Sequence, residues 1–154
     1  MSGVNLVPLT EAQLPRVLEL EKVCFSLPWS REAFLPELHD PGCCWLAALL
    51  EGEVAGYAGM RTVLDEGYVS NIAVAPESRR QGIGRELMEA LLLEGQRRRL
   101  SFLTLEVRVS NERARRLYTR LGFREAGLRS GYYERPREDA LLMTYYYTQE
   151  GREV

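Results

Sequence analysis

Between Arg79 and Arg85 the chain reads Arg-Arg-Gln-Gly-Ile-Gly-Arg, residue types that together suit a phosphate. Glycines at 82 and 84 leave backbone amides uncovered by side chains, and the helix predicted to follow puts its positive dipole end at the same place. Arg79, Arg80 and Arg85 add full charges. Short glycine-rich loops are commonly plain turns, so the flanks matter. Here a β-branched run, Val69-Ser-Asn-Ile-Ala-Val, enters through Pro76 and an amphipathic helix leaves. A dinucleotide fingerprint would need Gly-x-Gly-x-x-Gly with an acid about 20 residues on, and a triphosphate loop would end in Gly-Lys-Ser/Thr. Neither is present, and Lys22 is the one lysine of the chain.

Several other chemistries lack their residues. His39 is the single histidine, which leaves little for a Ser-His-Asp triad or a multi-histidine metal centre, and a place at a helix C-terminus explains it. No metal is expected. The cysteines, Cys24, Cys43 and Cys44, are odd in number and read as buried reduced thiols. Cys43 and Cys44 point to opposite faces of a strand.

Length and charge set further bounds. At 154 residues one domain is expected, over 1–147, with a disordered tail over 148–154. The start carries neither a basic region nor a signal core, and the longest apolar run, Cys43 to Leu50, is too short for a bilayer. A soluble, cytoplasmic protein is expected, with no membrane partner. Net charge is −2, yet residues 1–77 hold four basic and eleven acidic side chains, net −7, and 78–154 hold sixteen and eleven, net +5. A phosphate-rich cofactor suits the second half and a cationic substrate the first; the bland alternative is a solvated arginine-rich surface. The Arg97-Arg-Arg triplet reads as a helix-end cap, and no nucleic-acid partner is expected.

The positioning elements follow from pattern. Leu6 to Leu9 predicts a strand, and Thr10 with Gln13 opens a helix to about Cys24 with Leu14, Val17, Leu18 and Leu20 as its apolar stripe. Ser30 caps a helix to Leu38, closed by the Asp40-Pro-Gly turn. Cys43–Leu50 and 54–63 predict strands joined at Glu51-Gly52, and Tyr68–Val74 continues the antiparallel meander. A helix after Gly84 buries Leu87, Met88, Leu91 and Leu92. Phe102–Val107 reads as a buried strand, Asn111 caps a helix ended by Gly122, and 123–133 with 140–147 close the sheet. The result is a mixed α/β fold, β-α-α-β-β-β-α-β-α-β-β.

That order, with the Arg79 to Gly84 loop leaving the fourth strand, resembles the GCN5-related N-acetyltransferase (GNAT) superfamily over nearly the whole chain. Within it the chain is most similar to the RimI-type group, which acetylates the N-terminal alanine of the eighteenth protein of the small ribosomal subunit. Leu27-Pro-Trp-Ser and Asn71-Ile-Ala-Val carry part of the likeness. The more distinctive part is Leu105-Glu-Val-Arg-Val-Ser-Asn-Glu-Arg-Ala with Leu117-Tyr-Thr-Arg-Leu-Gly-Phe, and Tyr132-Tyr133 with Arg137-Glu-Asp-Ala-Leu-Leu-Met. Leu27 stands where the group often has phenylalanine, and Gly131 where it often has asparagine.

The resemblance implies roles. Acetyl-coenzyme A is the expected co-substrate. Its pyrophosphate would lie on Arg79, Arg80, Gln81, Gly82, Ile83, Gly84 and Arg85, and its pantetheine along Ile72, Ala73 and Val74 with help from Asn111. Glu106 is implied as the base that deprotonates the amine and Tyr118 as the acid that protonates the thiolate. Each has an ordinary counterpart: Glu106 as a strand carboxylate paired with an arginine such as Arg108, Tyr118 as a core aromatic, Asn111 as a helix cap alone. Trp29, Tyr132 and Tyr133 are the expected peptide-site aromatics, with Trp29 open to a core role. Acidic Glu32, Glu37, Asp65 and Glu66 are candidates to receive a basic acceptor peptide. A ribosomal protein N-terminus is the expected partner, and the enzyme is expected as a monomer or weak dimer.

Overall fold

The computed structural model describes residues 3–148; the expected tail lies, from 149 onward, outside the described residues. The element order is β1 (Asn5–Pro8), α1 (Leu14–Cys24), α2 (Arg31–Leu38), β2 (Cys43–Leu50), β3 (Glu53–Val63), β4 (Glu66–Val74), α3 (Ile83–Arg97), β5 (Phe102–Arg108), α4 (Glu112–Leu121), β6 (Arg124–Tyr133) and β7 (Glu138–Tyr146). The eleven predicted elements are all present, in the predicted order. Two differences lie at helix starts. The first turn after Thr10 is a 3-10 turn, Glu11–Gln13, although Gln13 does reach back to accept the Thr10 N–H at 2.9 Å. The third helix begins at Ile83, so Gly84 and Arg85 belong to its first turn. None of the described helices is long and apolar enough to cross a membrane.

The residues fall into two compact units, one running to Arg61 and resuming over Ser70–Leu91, the other holding Thr62–Val69 and the chain from Leu92 onward. In the first, β1, β2, β3 and β4 neighbour one another in that order; in the second the order is β4, β5, β7, β6. β2 and β3 are antiparallel from Cys43 opposite Arg61 to Leu50 opposite Glu53. Their link, Glu51 at φ 52° and Gly52 at φ 85°, has the two positive φ values of a type I′ hairpin, whose twist matches the strands it joins.

The first unit has an aromatic centre. Trp45 lies across β3 over Gly59, where any Cβ would come within 2.3 Å of the indole. Phe34 of α2 packs edge-on to Trp45 at 5.1 Å and Leu14, Val17 and Leu20 of α1 are buried in the same cluster. Helix α3 lays Ile83 and Leu87 over Gly56, a close approach that only a bare backbone allows.

In the second unit β5 pairs parallel with β4 over Glu66–Tyr68 and antiparallel with β7 along its whole length. β5, expected as a buried strand, is fully buried on one face and half-buried on the other. Leu103, Leu105 and Val107 enter the core, while Phe102, Thr104, Glu106 and Arg108 share the other, half-buried face. Phe123 bridges the core between Tyr118 and Tyr145, 5.8 Å from each ring.

Candidate active site

The predicted phosphate cradle is open. Arg80 at φ 67° and Gly82 at φ 81° turn the chain into α3, and a Cβ built on Gly82 would meet nothing within 4 Å. Arg79, Arg80, Gln81, Gly82 and Arg85 are exposed, whereas Ile83 is buried as the helix's first core residue. An α-helix leaves its first amides without acceptors of its own, so those at the start of α3 are available to an anion. The glycine-arginine composition therefore fits a pyrophosphate. Two arginines are partly engaged. Arg79 folds back, its Nε donating to the Val74 carbonyl at 3.2 Å and its Nη2 lying 3.6 Å from Cys24 Sγ, and Arg85 pairs with Glu89 at 3.2 Å. On β4, Ala73 is buried and Ile72 and Val74 are half-buried.

Glu106 lies elsewhere in the chain, on the half-buried face of β5. A groove of about 320 Å³ runs along that face, with Tyr68, Phe102 and Tyr146 at one end, Thr104 and Thr144 in the middle, and Glu106 with Arg129 at the other. The Glu106 side chain is 25% exposed and its Oε2 lies 3.2 Å from Arg129 Nε. The ordinary counterpart, a strand carboxylate paired with an arginine, is thus present, with Arg129 as the partner in place of Arg108. Arg108 instead contacts Glu138 at 3.3 Å, donates to the Pro136 and Glu134 carbonyls, and stacks over the Tyr133 ring at 4.4 Å. A carboxylate at the polar end of a largely apolar groove, steadied by Arg129, can accept a proton from an incoming ammonium or from water.

Tyr118 is 6% exposed, and burial pushes its phenol up to about 12. It also packs on Phe123, so the core role is real whether or not the hydroxyl does chemistry. Asn111 caps α4, its Oδ1 accepting the Ala114 N–H at 3.2 Å. Tyr132 and Tyr133 meet edge to face at 5.1 Å, and Tyr132 has Arg129 over its ring at 5.3 Å. Gly131, at φ 61°, donates to Asp139 Oδ1 at 2.8 Å, and the space a Cβ would need holds the Arg137 guanidinium at 2.6 Å. The departure from asparagine at this position thus goes with a filled neighbourhood.

The sequence profile of the Acetyltransferase (GNAT) family matches residues 14–123. The chain belongs to the GNAT acetyltransferase family. This GNAT chain is 40% identical over 139 residues to the [ribosomal protein bS18]-alanine N-acetyltransferase of Escherichia coli K12, covering 88% of this chain and 92% of that protein. It is 34% identical over 143 residues to the enzyme of that name from Haemophilus ducreyi, covering 90% and 97%. The crystal structure of the E. coli ribosomal-protein-S18-alanine N-acetyltransferase superposes with a TM-score of 0.89 at 35% identity, covering 98% of each chain. A GNAT family acetyltransferase from Elizabethkingia anophelis with acetyl-CoA bound shares the fold at TM-score 0.78 and 21% identity, covering 96% and 100%.

Trp29 of this GNAT chain is packed against the core, 5.0 Å from Phe34 and 5.5 Å from Trp45. Of the four acids offered for a basic peptide, Glu37 is committed elsewhere. It accepts from Trp45 Nε1 at 3.0 Å and pairs with Arg61 at 3.1 Å. Glu66 accepts from the Tyr68 hydroxyl at 2.5 Å and Asp65 from Ser101. Cys43 is buried, but Cys24 and Cys44 are only half-buried, which corrects the expectation of three buried thiols. His39 is the helix-end residue expected, with Nε2 3.1 Å from Glu11.

Two residues were missed by sequence reasoning. Arg129 gave no signal, because nothing in β6 announces which strand its side chain crosses to. Glu21 did give one. It stands seven residues after Leu14 and four after Val17, where the helical stripe calls for an apolar side chain. It is fully buried. Its Oε1 accepts the Trp29 N–H at 2.7 Å, and its Oε2 accepts the Tyr57 hydroxyl at 2.7 Å and Asn71 Nδ2 at 2.6 Å.

Proposed function

We propose that this chain moves the acetyl group of acetyl-coenzyme A onto the α-amine of an N-terminal alanine, that of ribosomal protein bS18. The near end-to-end likeness to enzymes of that name carries the reading. The two-unit chain would act in the cytoplasm as a monomer or weak dimer, with no metal or nucleic acid. Among the described residues no three metal-ligating side chains gather.

Acetyl-coenzyme A supplies a thioester already activated for attack by an amine. Arg79 to Arg85 would hold its pyrophosphate and Ile72 to Val74 would run beside its pantetheine, the amide near Val74 facing the thioester carbonyl. Asn111, with Oδ1 engaged in capping, offers its Nδ2 to the same arm. An α-amine titrates near 7.7–8.0, so about a tenth is neutral at pH 7, whereas a lysine amine near 10.4 is far less available. A modest base is therefore enough. Glu106, fixed on one side by Arg129, accepts the proton directly or through one water. Tyr118 stays protonated across the working range and donates to the sulfur. Burial raises the phenol, and it raises a thiolate buried beside it in the same direction, which keeps donor and acceptor matched. Trp29, Tyr132 and Tyr133 would frame the acceptor.

The test is mass spectrometry of a peptide beginning Ala-Arg-Tyr-Phe-Arg after incubation with the protein and acetyl-coenzyme A, beside a lysine-only peptide and spermidine. Acetylation confined to the alanine amine is expected. Acetylation of spermidine alone would move the chain to small amines, and coenzyme A binding without transfer would make it a sensor.

A further inference from the structure

Glu21 is the one charged side chain that is fully buried among the described residues, and the three partners it holds are all neutral donors: the Trp29 amide, the Tyr57 hydroxyl and the Asn71 side-chain amide. Burying a carboxylate without a cation is expensive, and a well-packed apolar side chain would serve α1 better if packing were the purpose. What an apolar residue cannot do is join these donors. They come from the loop between α1 and α2, from β3 and from β4. The chain of contacts continues beyond the carboxylate, because Asn71, fixed through Nδ2, turns its Oδ1 to accept the Ile72 N–H at 3.1 Å.

We propose that Glu21 is a positioning residue that ties the acceptor-side loop carrying Trp29 to the cofactor-side strand beginning at Ile72, so that one carboxylate sets both halves of the substrate site. The inference rests on the reading above, in which Trp29 borders the peptide and Ile72 to Val74 border acetyl-coenzyme A. One oxygen serves each direction: Oε1 the loop, Oε2 the strand. Replacing Glu21 with glutamine keeps the volume but turns one acceptor into a donor, which then faces either the Trp29 N–H or the Asn71 NH2. The site therefore loses one arm or the other. Removing the Tyr57 hydroxyl takes away a third partner without touching either arm.

The experiment compares wild type with Glu21→Gln, Asn71→Ala and Tyr57→Phe, using circular dichroism to confirm folding. The readouts are amide hydrogen exchange at Trp29 and Ile72, the Kd of coenzyme A by calorimetry, and the peptide KM against kcat. Folded Glu21→Gln is expected to exchange at least tenfold faster at one of the two amides and to raise coenzyme A Kd or peptide KM at least fivefold, with kcat changed less. Asn71→Ala is expected to raise coenzyme A Kd and speed exchange at Ile72 alone, and Tyr57→Phe to stay within about twofold throughout. Unchanged exchange at both amides in folded Glu21→Gln overturns the proposal, as does Asn71→Ala loosening Trp29 as much as Ile72. If wild type acetylates no alanine peptide, the functional reading fails, while exchange and coenzyme A binding still decide the role of Glu21. Should Glu21→Gln not fold, the contrast between Asn71→Ala and Tyr57→Phe decides it: equal effects of those two overturn it.

Discussion

Arg129 Nε lies 3.2 Å from Glu106 Oε2, and the two reach each other from strands that are not neighbours, since β7 runs between β5 and β6. The contact spans the width of one strand. It engages Oε2 of a carboxylate that also borders the groove along β5.

Glu106→Gln is expected to lower kcat/KM by about a hundredfold or more, the range of a lost general base. The loss should be greatest at low pH, where fewer acceptor amines are already neutral. Arg129→Met should lower kcat/KM by about tenfold through misorientation of the carboxylate. Stability should change by less than about 1 kcal/mol, because Arg129 is more than half exposed. Steady-state kinetics with a thermal melt of each variant checks both, and full activity in Arg129→Met would return the contact to an ordinary surface pair.

Tyr118→Phe should cut kcat about a hundredfold with coenzyme A affinity unchanged, since the ring and its packing on Phe123 are kept. With the phenol pushed up to about 12, the wild-type rate should show no alkaline fall from this group below about pH 11. A Tyr118-dependent limb near pH 9 in the kcat profile would contradict that.

Gly82 and Gly52 make a matched pair: both have positive φ and open space where a side chain would go. Alanine at either should destabilise by about 1–2 kcal/mol, the cost of a left-handed Cβ. Only Gly82→Ala should weaken coenzyme A binding, because only that backbone belongs to the proposed cradle. Calorimetric titration of both variants separates strain from contact, and equal affinities would remove Gly82 from the site.

Burial raises the Glu21 carboxyl above its ordinary range even though three hydrogen bonds pull it down. The folded protein thus binds this proton more tightly than the unfolded chain does. Stability carried by the group is greatest below the unfolded value near 4.5 and falls as pH rises toward the folded one. The melting temperature of wild type relative to Glu21→Gln should therefore decline from about pH 4.5 upward and then level. Tyr57 and Cys24 face the same carboxylate and stay neutral over that window, burial raising both. A difference that rises with pH would reverse the sign and reject this account.

Much of the architecture was written locally. Ser30 accepts the Ala33 N–H as a capping serine should, Asn111 does the same for Ala114, and Gly122 ends α4 at φ 107°. Such signals act over three or four residues, which is why they can be read one at a time. The placement of β7 between β5 and β6 had no such signal, because pairing between distant strands is decided by the packing of whole faces. Arg129 was hidden for that reason. Glu21 was legible only as an exception to the α1 stripe, and its meaning needed the three donors that the fold brings to it. The glycines and arginines of the proposed cradle could be picked out by composition, yet the fold-back of Arg79 onto Val74 could not, since it depends on where β4 ends.

The insertion of β7 between β5 and β6 has a consequence for synthesis. A ribosome makes β5 and β6 first, and until residues 138–146 emerge β5 can pair only with β4 on one side and β6 has no ladder, because both complete their pairing on the later strand. Local contacts in the β2–β3 hairpin can form early, but this part of the sheet closes late and over long loops. A nascent chain stalled before Glu138 would expose an unpaired β6 and the open edge of β5, the strand carrying Glu106, and would be both inactive and prone to cross-chain pairing.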